Sequence, residues 1–521
     1  MKHLSVKNIL LPICLLIYSY LFWQHKLGIN LSAFTVLLLA VNFYLNPRAR
    51  RSNPAIFTAA CTVFTAIFFT VNHTGLNGFM VFLSFFICTG FIHIYRSQYI
   101  PSIILQTLYS FTQVPVVWLD KLQHLPGNTQ HISPLWRFVR RGLIPFLIFF
   151  IFYMIYSIAN PVFGKMASMF TSNIFIFFEW MFSFISLPYF FFLLLGLIIL
   201  TAVLFYRFSR SLFKAEATES EFLARKQQRL PKILRSPYYT LPERNPVALK
   251  NEARTATWLL ILVNLLLLVV NCIDISWIWL GFNMPHNFNL KQFVHEGTYL
   301  LILSILLSIG ILLYFFRANL NFYKGNKIII RLAHIWILQN MVLTFSVFLR
   351  NWHYIQFHGL AYKRIGVMIF LLLTLIGLAT LFIKIKQKRS DYFLWRTNTW
   401  AAYTVLVLFS AVQWDVLIVN YNLNHWNTAG IDTDFYYELD DNTLPLLYSR
   451  ISDVERQMNA QKSLPRPWAY RTDIEEFRQM LDSRSMYFIL NWQSARWQSW
   501  NLADARTAED LEKYNNYFSG N

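Results

Sequence analysis

Residues 255–275 read TATWLLILVNLLLLVVNCIDI, a run in which Asp274 is the one formally charged side chain. About 20 mainly apolar residues are enough to cross the hydrocarbon of a bilayer as an α-helix, which satisfies every backbone amide internally. We therefore predict that this stretch spans a membrane.

The composition of the whole chain agrees with that interpretation. Hydrophobic residues make up 56% of the 521 residues and charged residues only 14%, whereas soluble domains carry about 25% charged residues. This excludes a soluble enzyme and a disordered chain, and it predicts an all-α, polytopic transmembrane bundle of about eleven spans. The predicted spans are Ile9–Trp23, Ile29–Leu45, Pro54–Val71, Leu76–Ile94, Leu143–Tyr156, Leu187–Tyr206, Thr255–Ile275, Thr298–Phe316, Ile328–Phe348, Ile365–Ile385 and Trp400–Ile418.

The positive charges between these spans predict how the chain is threaded. Lys and Arg are retained on the cytoplasmic side of a membrane. With a cytoplasmic N-terminus, thirty Lys and Arg residues fall in the inward segments and six in the outward connections before residue 427. The surplus of positive charge then serves orientation and attraction to anionic lipid, so nucleic acid is not an expected partner.

The spans divide the chain into four parts. The first half contains two segments, 98–123 and 173–188, that we expect to be interfacial or re-entrant. The parts are an N-terminal transmembrane half at 1–206, a basic cytoplasmic loop at 207–254, a second transmembrane half at 255–426 and a soluble segment at 427–521.

The segment 427–521 differs in amino-acid composition from the rest of the chain. It carries a net charge of −5, whereas residues 1–426 carry +25, and it is rich in aromatic residues. Its spacing predicts helices at Thr443–Gln461, Arg471–Leu481, Ser485–Trp500 and Thr507–Phe518. About 95 residues are enough for a small helical domain. We expect this extramembrane domain to lie in the periplasm.

Polar side chains inside the spans are the first candidate site, because ionised groups in the bilayer are costly. The candidate intramembrane face consists of Asn264, Asn271, Asp274, Arg331, His334 and Asp415. Asn264, Asn271 and Asp274 share one helix face at spacings of seven and three. Such a face could line a polar pathway for a substrate, or it could only hold helices together through hydrogen bonds.

Histidines near the outward side are a second, weaker candidate. The cluster consists of His286, His295, Glu296, His353 and His358. Their spacings match no metal-ligand pattern, so we predict neither a metal site nor a cofactor. No phosphate loop, GxSxG turn or HExxH helix occurs either, and we expect no enzymatic activity.

A series of short motifs extends from residue 27 to 502 in a characteristic order. They are LGIN at 27–30, NPRAR at 46–50, ANPVF at 159–163, FVHEG at 293–297, GLAYKR at 359–364, WDVLI at 414–418, NYN at 420–422, LDD at 439–441, LPLL at 444–447 and WQSWNL at 497–502. In this order the chain resembles the bacterial multi-pass membrane proteins grouped as domain of unknown function 4173, with a related 4153 group. The resemblance implies an inner-membrane location and brings no activity, substrate or cofactor.

Three functions are compatible with these features. The first is a non-enzymatic scaffold or interaction protein of the cell envelope that presents residues 427–521 to a protein partner, with lipid as its surroundings. The second is a transporter or lipid-handling carrier that uses the polar intramembrane face. The third, a membrane-embedded enzyme dependent on metal, would use the outward histidines.

Overall fold

The computed structural model of the chain describes residues 2–123, 145, 149–150, 152–181, 186–223, 246–280, 290–316, 319–323, 325–425, 433–462 and 474–519. Within these residues every regular element is helical, and one isolated antiparallel bridge joins Phe222 to Arg389. The all-α fold class is confirmed for this part of the chain.

The described part of the first half contains nine helices and a further helical stretch at 152–159. They are α1 (Lys2–Phe22), α2 (Ile29–Leu45), α3 (Asn53–Asn72), α4 (Gly75–His93), α5 (Ile100–Thr112), α6 (Val114–Gln123), α7 (Pro161–Met181), α8 (Leu187–Leu204) and α9 (Arg210–Ala217).

The second half begins with long helices and ends with shorter ones. They are α10 (Pro246–Asp274), α11 (Leu290–Phe315), α12 (Lys327–His358), α13 (Tyr362–Gln387), α14 (Asp391–Ser410), α15 (Trp414–Asn424), α16 (Thr433–Glu438), α17 (Leu444–Ser449), α18 (Ile451–Lys462), α19 (Ile474–Ser494) and α20 (Leu502–Ser519). A π-helical turn, Ile275–Trp279, extends α10, and the 3-10 turns are Pro47–Arg51, Asn319–Phe322, Asp441–Thr443 and Trp497–Ser499.

Seven helical segments of the described chain are long and apolar enough to cross a membrane, and the number rises to nine if each of two bent pairs is one span. The seven are Asn53–Asn72, Gly75–His93, Leu187–Leu204, Leu249–Trp279, Gly297–Phe315, Lys327–His358 and Tyr362–Gln387. Each coincides with a predicted span. The first two predicted spans are shorter apolar helices, Val6–Phe22 and Ile29–Leu45, and most of Leu143–Tyr156 lies outside the described residues.

The last predicted span, Trp400–Ile418, is broken. Helix α14 ends at Ser410, and α15 leaves it at an angle of 67°. The Ser410 carbonyl accepts a hydrogen bond from the side-chain amide of Asn77, near the start of α4. The Ala411 carbonyl accepts one from the side-chain amide of Asn72, at the end of α3. A span at Trp400–Ile418 is therefore not confirmed as one continuous helix: α14 and α15 are long and apolar enough to cross a membrane only as a bent pair.

Hydrogen bonds between the helix connections define two ends of the bundle. At one end the His73 ring bonds to the Leu27 carbonyl at 2.8 Å, and the Asn72 amide donates to the Ala411 carbonyl at 2.7 Å. We call this the docking end. At the opposite end the Ser97 hydroxyl donates to Glu216 at 2.6 Å. Connections that the charge pattern predicts on the same side of the membrane therefore lie at the same end of the bundle.

The segment 98–123 forms the second bent pair, α5 and α6, which meet at 44°. Helix α5 contacts the last turn of α8 through the Ser110 hydroxyl, which donates to the Ala202 carbonyl at 2.9 Å. Helix α6 contacts the same stretch through the Trp118 indole, which donates to Thr201 at 3.0 Å. Both halves therefore lie beside residues 201–209 at the opposite end. An interfacial position for this segment stays a prediction, and so does that of 173–188, whose side chains lie mostly outside the described residues.

The loop 207–254 begins with α9, and its residues 224–245 lie outside the described part. Before that gap, Glu221 pairs with Arg389 at 2.8 Å and with Arg396. These contacts fix the start of the loop against the connection between α13 and α14.

The C-terminal helices share a hydrophobic core with the bundle. The core combines Ile355, Leu360, Ile365, Ile418, Val419 and Leu423 of the bundle with Tyr436, Leu439, Leu444, Leu447, Val454, Met458, Phe477, Leu481, Phe488, Ala508 and Leu511. An independent C-terminal domain is thus not confirmed. Helix α19 also joins two predicted helices, because no helix-breaking residue separates Leu481 from Ser485.

Candidate functional site

The predicted intramembrane polar face is buried between α10 and α12. Asn264, Asn271 and Asp274 are 8%, 4% and 3% exposed. The Asn264 amide donates to the Leu332 carbonyl at 3.1 Å and its oxygen accepts from the Gln339 amide at 3.0 Å. The Asn271 amide donates to the Gln339 carbonyl at 3.1 Å. These bonds hold two helices together in the low-dielectric interior of the bundle.

An ion pair lies at the end of this polar seam. Arg350 of α12 donates to Asp274 at 2.5 Å, and both side chains are nearly buried, with exposures of 10% and 4%. One turn further, the Trp279 indole donates to the Ser346 hydroxyl at 3.0 Å. The partner residues on α12 were not predicted from the sequence. They are Gln339, Ser346 and Arg350, which recur at spacings of seven and four.

The Asn271 oxygen Oδ1 and the Asp274 oxygen Oδ2 are buried and have no hydrogen-bond partner among the described residues. Buried polar atoms of this kind are rare, so each of them requires an explanation. These two oxygens, together with Gln339 Oε1, are atoms of the seam that interhelical bonding does not account for.

Arg331 and His334, which the sequence analysis grouped with this face, do not form a pair in the structure. Arg331 is exposed. His334 packs against Phe382 of α13, with ring centroids 4.1 Å apart. The two side chains are three positions apart on α12, yet only His334 turns into the bundle.

The outward histidines are not brought together where the structure describes them. His353 contacts Gln356 at 3.3 Å, and His358 stacks on Tyr354 with ring centroids 4.3 Å apart. His286 and the side chains of His295 and Glu296 lie outside the described residues. The described residues contain no group of three or more His, Cys, Asp or Glu side chains that could hold a metal ion.

Asp415 begins α15 and lies at the docking end. It is 7% exposed and accepts a hydrogen bond from the Tyr362 hydroxyl at the start of α13. Burial raises the pKa of the neighbouring Asp440 to about 6, and the nearby charge of Asp415 adds to that rise. Asp415 therefore belongs to a polar cluster beneath the C-terminal helices and is not part of the α10–α12 seam.

Asn422 of α15 fixes the turn between α12 and α13. Its oxygen accepts from the Leu360 amide at 2.5 Å and its amide donates to the Leu360 carbonyl at 3.0 Å. Gly359 in this turn has a φ of +78°, a value that L side chains rarely adopt. A Cβ at Gly359 would also lie 2.6 Å from the Asn422 oxygen.

The 3-10 turn Trp497–Ser499 seats on the start of α2. The Ile29 amide donates to the Trp500 carbonyl at 2.8 Å. A Cβ added to Gly28 would lie 2.5 Å from the Ser499 carbonyl carbon and 2.7 Å from the Trp500 oxygen. Only glycine allows the two backbones to approach this closely, so Gly28 is one point of contact between the bundle and the C-terminal segment.

An ion pair joins α20 to the end of α3. His73 Nδ1 lies 3.4 Å from Asp504, and Nε2 faces the Leu27 carbonyl. Burial lowers the pKa of His73, but the hydrogen bond and charge of Asp504 outweigh burial, so the pKa is raised. For Asp504, burial raises the pKa and the contacts with His73 outweigh it, so the pKa is lowered. Both shifts favour the charged pair.

Arg484 connects three C-terminal elements. Its guanidinium donates to Asp441 at 2.6 Å, to the Tyr437 carbonyl at 2.7 Å and to the Leu439 carbonyl. Because a guanidinium presents its donors in a fixed fork, one side chain holds α19 against the turn after α16. The C-terminal segment is thus braced internally as well as against the bundle.

One face of the C-terminal segment is apolar and exposed. Met486, Tyr487 and Leu490 of α19 are 65%, 69% and 56% exposed, and Trp497 is 57% exposed. On the other side of α19, Phe477, Leu481 and Phe488 are buried in the shared core.

A cavity of about 460 Å³ lies at the docking end, between the C-terminal end of α1 and residues 491–499. Sequence analysis did not predict it, because its two walls are almost 470 residues apart.

The comparisons with known proteins place the chain in a family. Over residues 10–449 the sequence matches the model of a family described as a domain of unknown function (DUF4153). The chain belongs to this family. The predicted resemblance is confirmed for the 4153 group, and DUF4153 covers the bundle together with the first C-terminal helices, as far as α17. No curated protein and no solved structure matches the sequence.

Proposed function

We propose that this DUF4153 protein is a non-enzymatic integral membrane protein that holds its C-terminal helices rigidly at the docking end and presents them to an envelope protein partner. The observation that carries the proposal is the exposed stripe of Met486, Tyr487 and Leu490 on a helix whose other face is committed to the bundle. Large exposed apolar patches mark contact sites.

We further propose eleven spans in a bacterial inner membrane, a cytoplasmic N-terminus and a periplasmic docking end. The bias of thirty inward to six outward Lys and Arg residues supports this threading. Reporter fusions after Gln227 and after Asn521 test it. A cytoplasmic signal at Gln227 and a periplasmic signal at Asn521 are expected, and a cytoplasmic signal at both positions would contradict it.

The rigidity of the presentation supports a scaffold role. The shared core, the Gly28 contact and the His73–Asp504 pair fix the segment at three separate points. A partner that packs on α19 therefore meets a preorganised surface and loses little conformational freedom of the segment on binding.

A photo-crosslinking residue at position 487 of the full-length protein tests the proposal in intact cells. We expect a discrete adduct with one envelope protein. The matched control is position 509, where Glu509 is 70% exposed on α20. Adducts of equal yield at both positions, or adducts with lipid alone, would contradict the proposal.

Substitution of the stripe gives an independent test. Tyr487→Ser combined with Leu490→Ser should remove the adduct formed from a crosslinker at position 486, whereas Glu509→Ser should leave it unchanged. Both changes lie on exposed positions, so the thermal unfolding midpoint should be nearly unaltered.

A transporter or lipid-handling carrier is the second candidate. The two unpartnered oxygens on Asn271 and Asp274 favour it, because a polar substrate or ion could supply the missing contacts. Asn271→Leu combined with Asp274→Leu should then abolish complementation of a deletion phenotype. Full complementation by a correctly inserted variant would remove this candidate.

A further inference from the structure

The cavity at the docking end has walls from two distant parts of the chain. Ser19–Lys26, at the end of α1 and just beyond it, form one wall, and residues 491–499 form the other. Tyr20 lines the cavity, and its ring centroid lies 6.3 Å from that of Trp497. The cavity therefore forms only when the C-terminal segment is seated on the bundle.

The charge of the cavity wall has a single sign. Lys26 and Arg496 line the cavity together with His25, and no Asp or Glu is among the described lining residues. Lys26 and Arg496 are exposed, so their ammonium and guanidinium groups are available to a ligand. Such a wall selects for an anion, and phosphate is an anion that arginine and lysine bind through charge-assisted hydrogen bonds.

A buried acceptor also lines the cavity. Gln498 is 3% exposed, and its carbonyl oxygen Oε1 has no hydrogen-bond partner among the described residues. A buried carbonyl without a donor is costly, about 1–3 kcal/mol. A hydroxyl group on the bound anion would satisfy it.

The cavity continues a lipid-facing stripe of α1. Ile9, Ile13, Leu16 and Tyr20 recur at helical spacing, and they are 61%, 45%, 72% and 62% exposed. Tyr20 and Trp497 stand where this stripe reaches the cavity. Tyrosine and tryptophan concentrate at membrane–water interfaces. An acyl chain on the stripe would place its headgroup at the cavity mouth.

We propose that this cavity binds the phosphoglycerol headgroup of an anionic phospholipid in the adjacent leaflet. Lys26 and Arg496 contact the phosphate, a glycerol hydroxyl donates to the Gln498 oxygen, and an acyl chain follows the α1 stripe. A headgroup bound in this way bridges the bundle and the C-terminal segment. The site is separate from the exposed stripe of α19 and independent of the function proposed above.

Native mass spectrometry of the full-length protein, titrated with short-chain phosphatidylglycerol and phosphatidylcholine, tests the proposal. We expect preferential retention of phosphatidylglycerol. Lys26→Gln combined with Arg496→Gln should weaken this binding about tenfold or more, because two charge-assisted contacts are lost. The matched control, Arg506→Gln combined with Lys513→Gln, removes the same charge from exposed positions outside the cavity and should leave binding unchanged.

Two further arms separate the headgroup from other sources of phosphate. Gln498→Met should weaken phosphatidylglycerol binding roughly fivefold and leave phosphatidic acid unaffected, because phosphatidic acid has no second glycerol. Soluble glycerol phosphate should compete weakly, since it cannot use the α1 stripe. Equal loss of binding in the control variant, or saturation of the site by glycerol phosphate at the same affinity, would overturn the proposal.

Discussion

Replacement of Gly28 by alanine should loosen the C-terminal segment from the bundle. The new Cβ would lie 2.5 Å from the Ser499 carbonyl carbon, so the turn must retreat by about 1 Å to reach ordinary contact. The bond from the Ile29 amide to the Trp500 carbonyl, now 2.8 Å, would be lost. Overpacking costs about 1–3 kcal/mol and an unsatisfied buried amide about 1–3 kcal/mol. Alanine offsets about 0.4–1 kcal/mol of this cost, because it lowers the conformational entropy of the unfolded chain. The net loss is roughly 1–5 kcal/mol, with a central value of about 3 kcal/mol.

Thermal unfolding of the purified full-length protein, followed by circular dichroism, measures this effect. The matched control is Gly75→Ala at the start of α4, where a Cβ would meet no atom within 4 Å. We expect Gly28→Ala to lower the midpoint clearly and Gly75→Ala to leave it equal or slightly higher. Equal midpoints for the two variants would refute the inference that the close backbone approach at Gly28 holds the segment in place.

Three other perturbations follow from the structure. Arg350→Met should destabilise the protein by about 3–5 kcal/mol, because it leaves the Asp274 charge buried and unpaired; adding Asp274→Leu should restore most of the midpoint. Asn422→Leu should cost about 2–4 kcal/mol through its two lost bonds to the backbone of the α12–α13 turn, measured in the same way. The stabilisation from the His73–Asp504 pair should depend on pH. Because folding raises the pKa of His73, the contribution of His73 to the free energy of unfolding is complete below about pH 6.5 and is lost as the pH rises through its folded-state pKa. Because folding lowers the pKa of Asp504, the contribution of Asp504 is complete above about pH 3.8 and is lost as the pH falls through its folded-state pKa. The difference in midpoint between wild type and His73→Phe should therefore be largest between about pH 4 and pH 6.5, and a difference independent of pH would contradict the pairing.

The sequence could predict the long helices because hydrophobic length alone decides them. Leu187–Leu204 contains no charged residue, and Tyr362–Gln387 contains none between Arg364 and Lys384. No folding alternative satisfies their amides in a bilayer. It could not predict the break at Ser410, because the carbonyls freed there are satisfied by Asn72 and Asn77 from distant helices.

The candidate site was predictable on one helix and not across helices. The spacing of Asn264, Asn271 and Asp274 identifies a shared face, but periodicity does not say which helix covers it. Arg350 therefore appeared only as one charge among the outward connections. The seating of the C-terminal segment was hidden for the same reason, since nothing near Gly28 indicates contact with a turn almost 470 residues later.

The C-terminal helices are seated on the docking end of the bundle and share its hydrophobic core. Cysteines at positions 73 and 504, in a chain whose four native cysteines are replaced, test it in membranes with a short bifunctional crosslinker. We expect efficient crosslinking of this pair and none for cysteines at positions 50 and 504, because Arg50 lies at the opposite end. Equal, low yields for both pairs would contradict it.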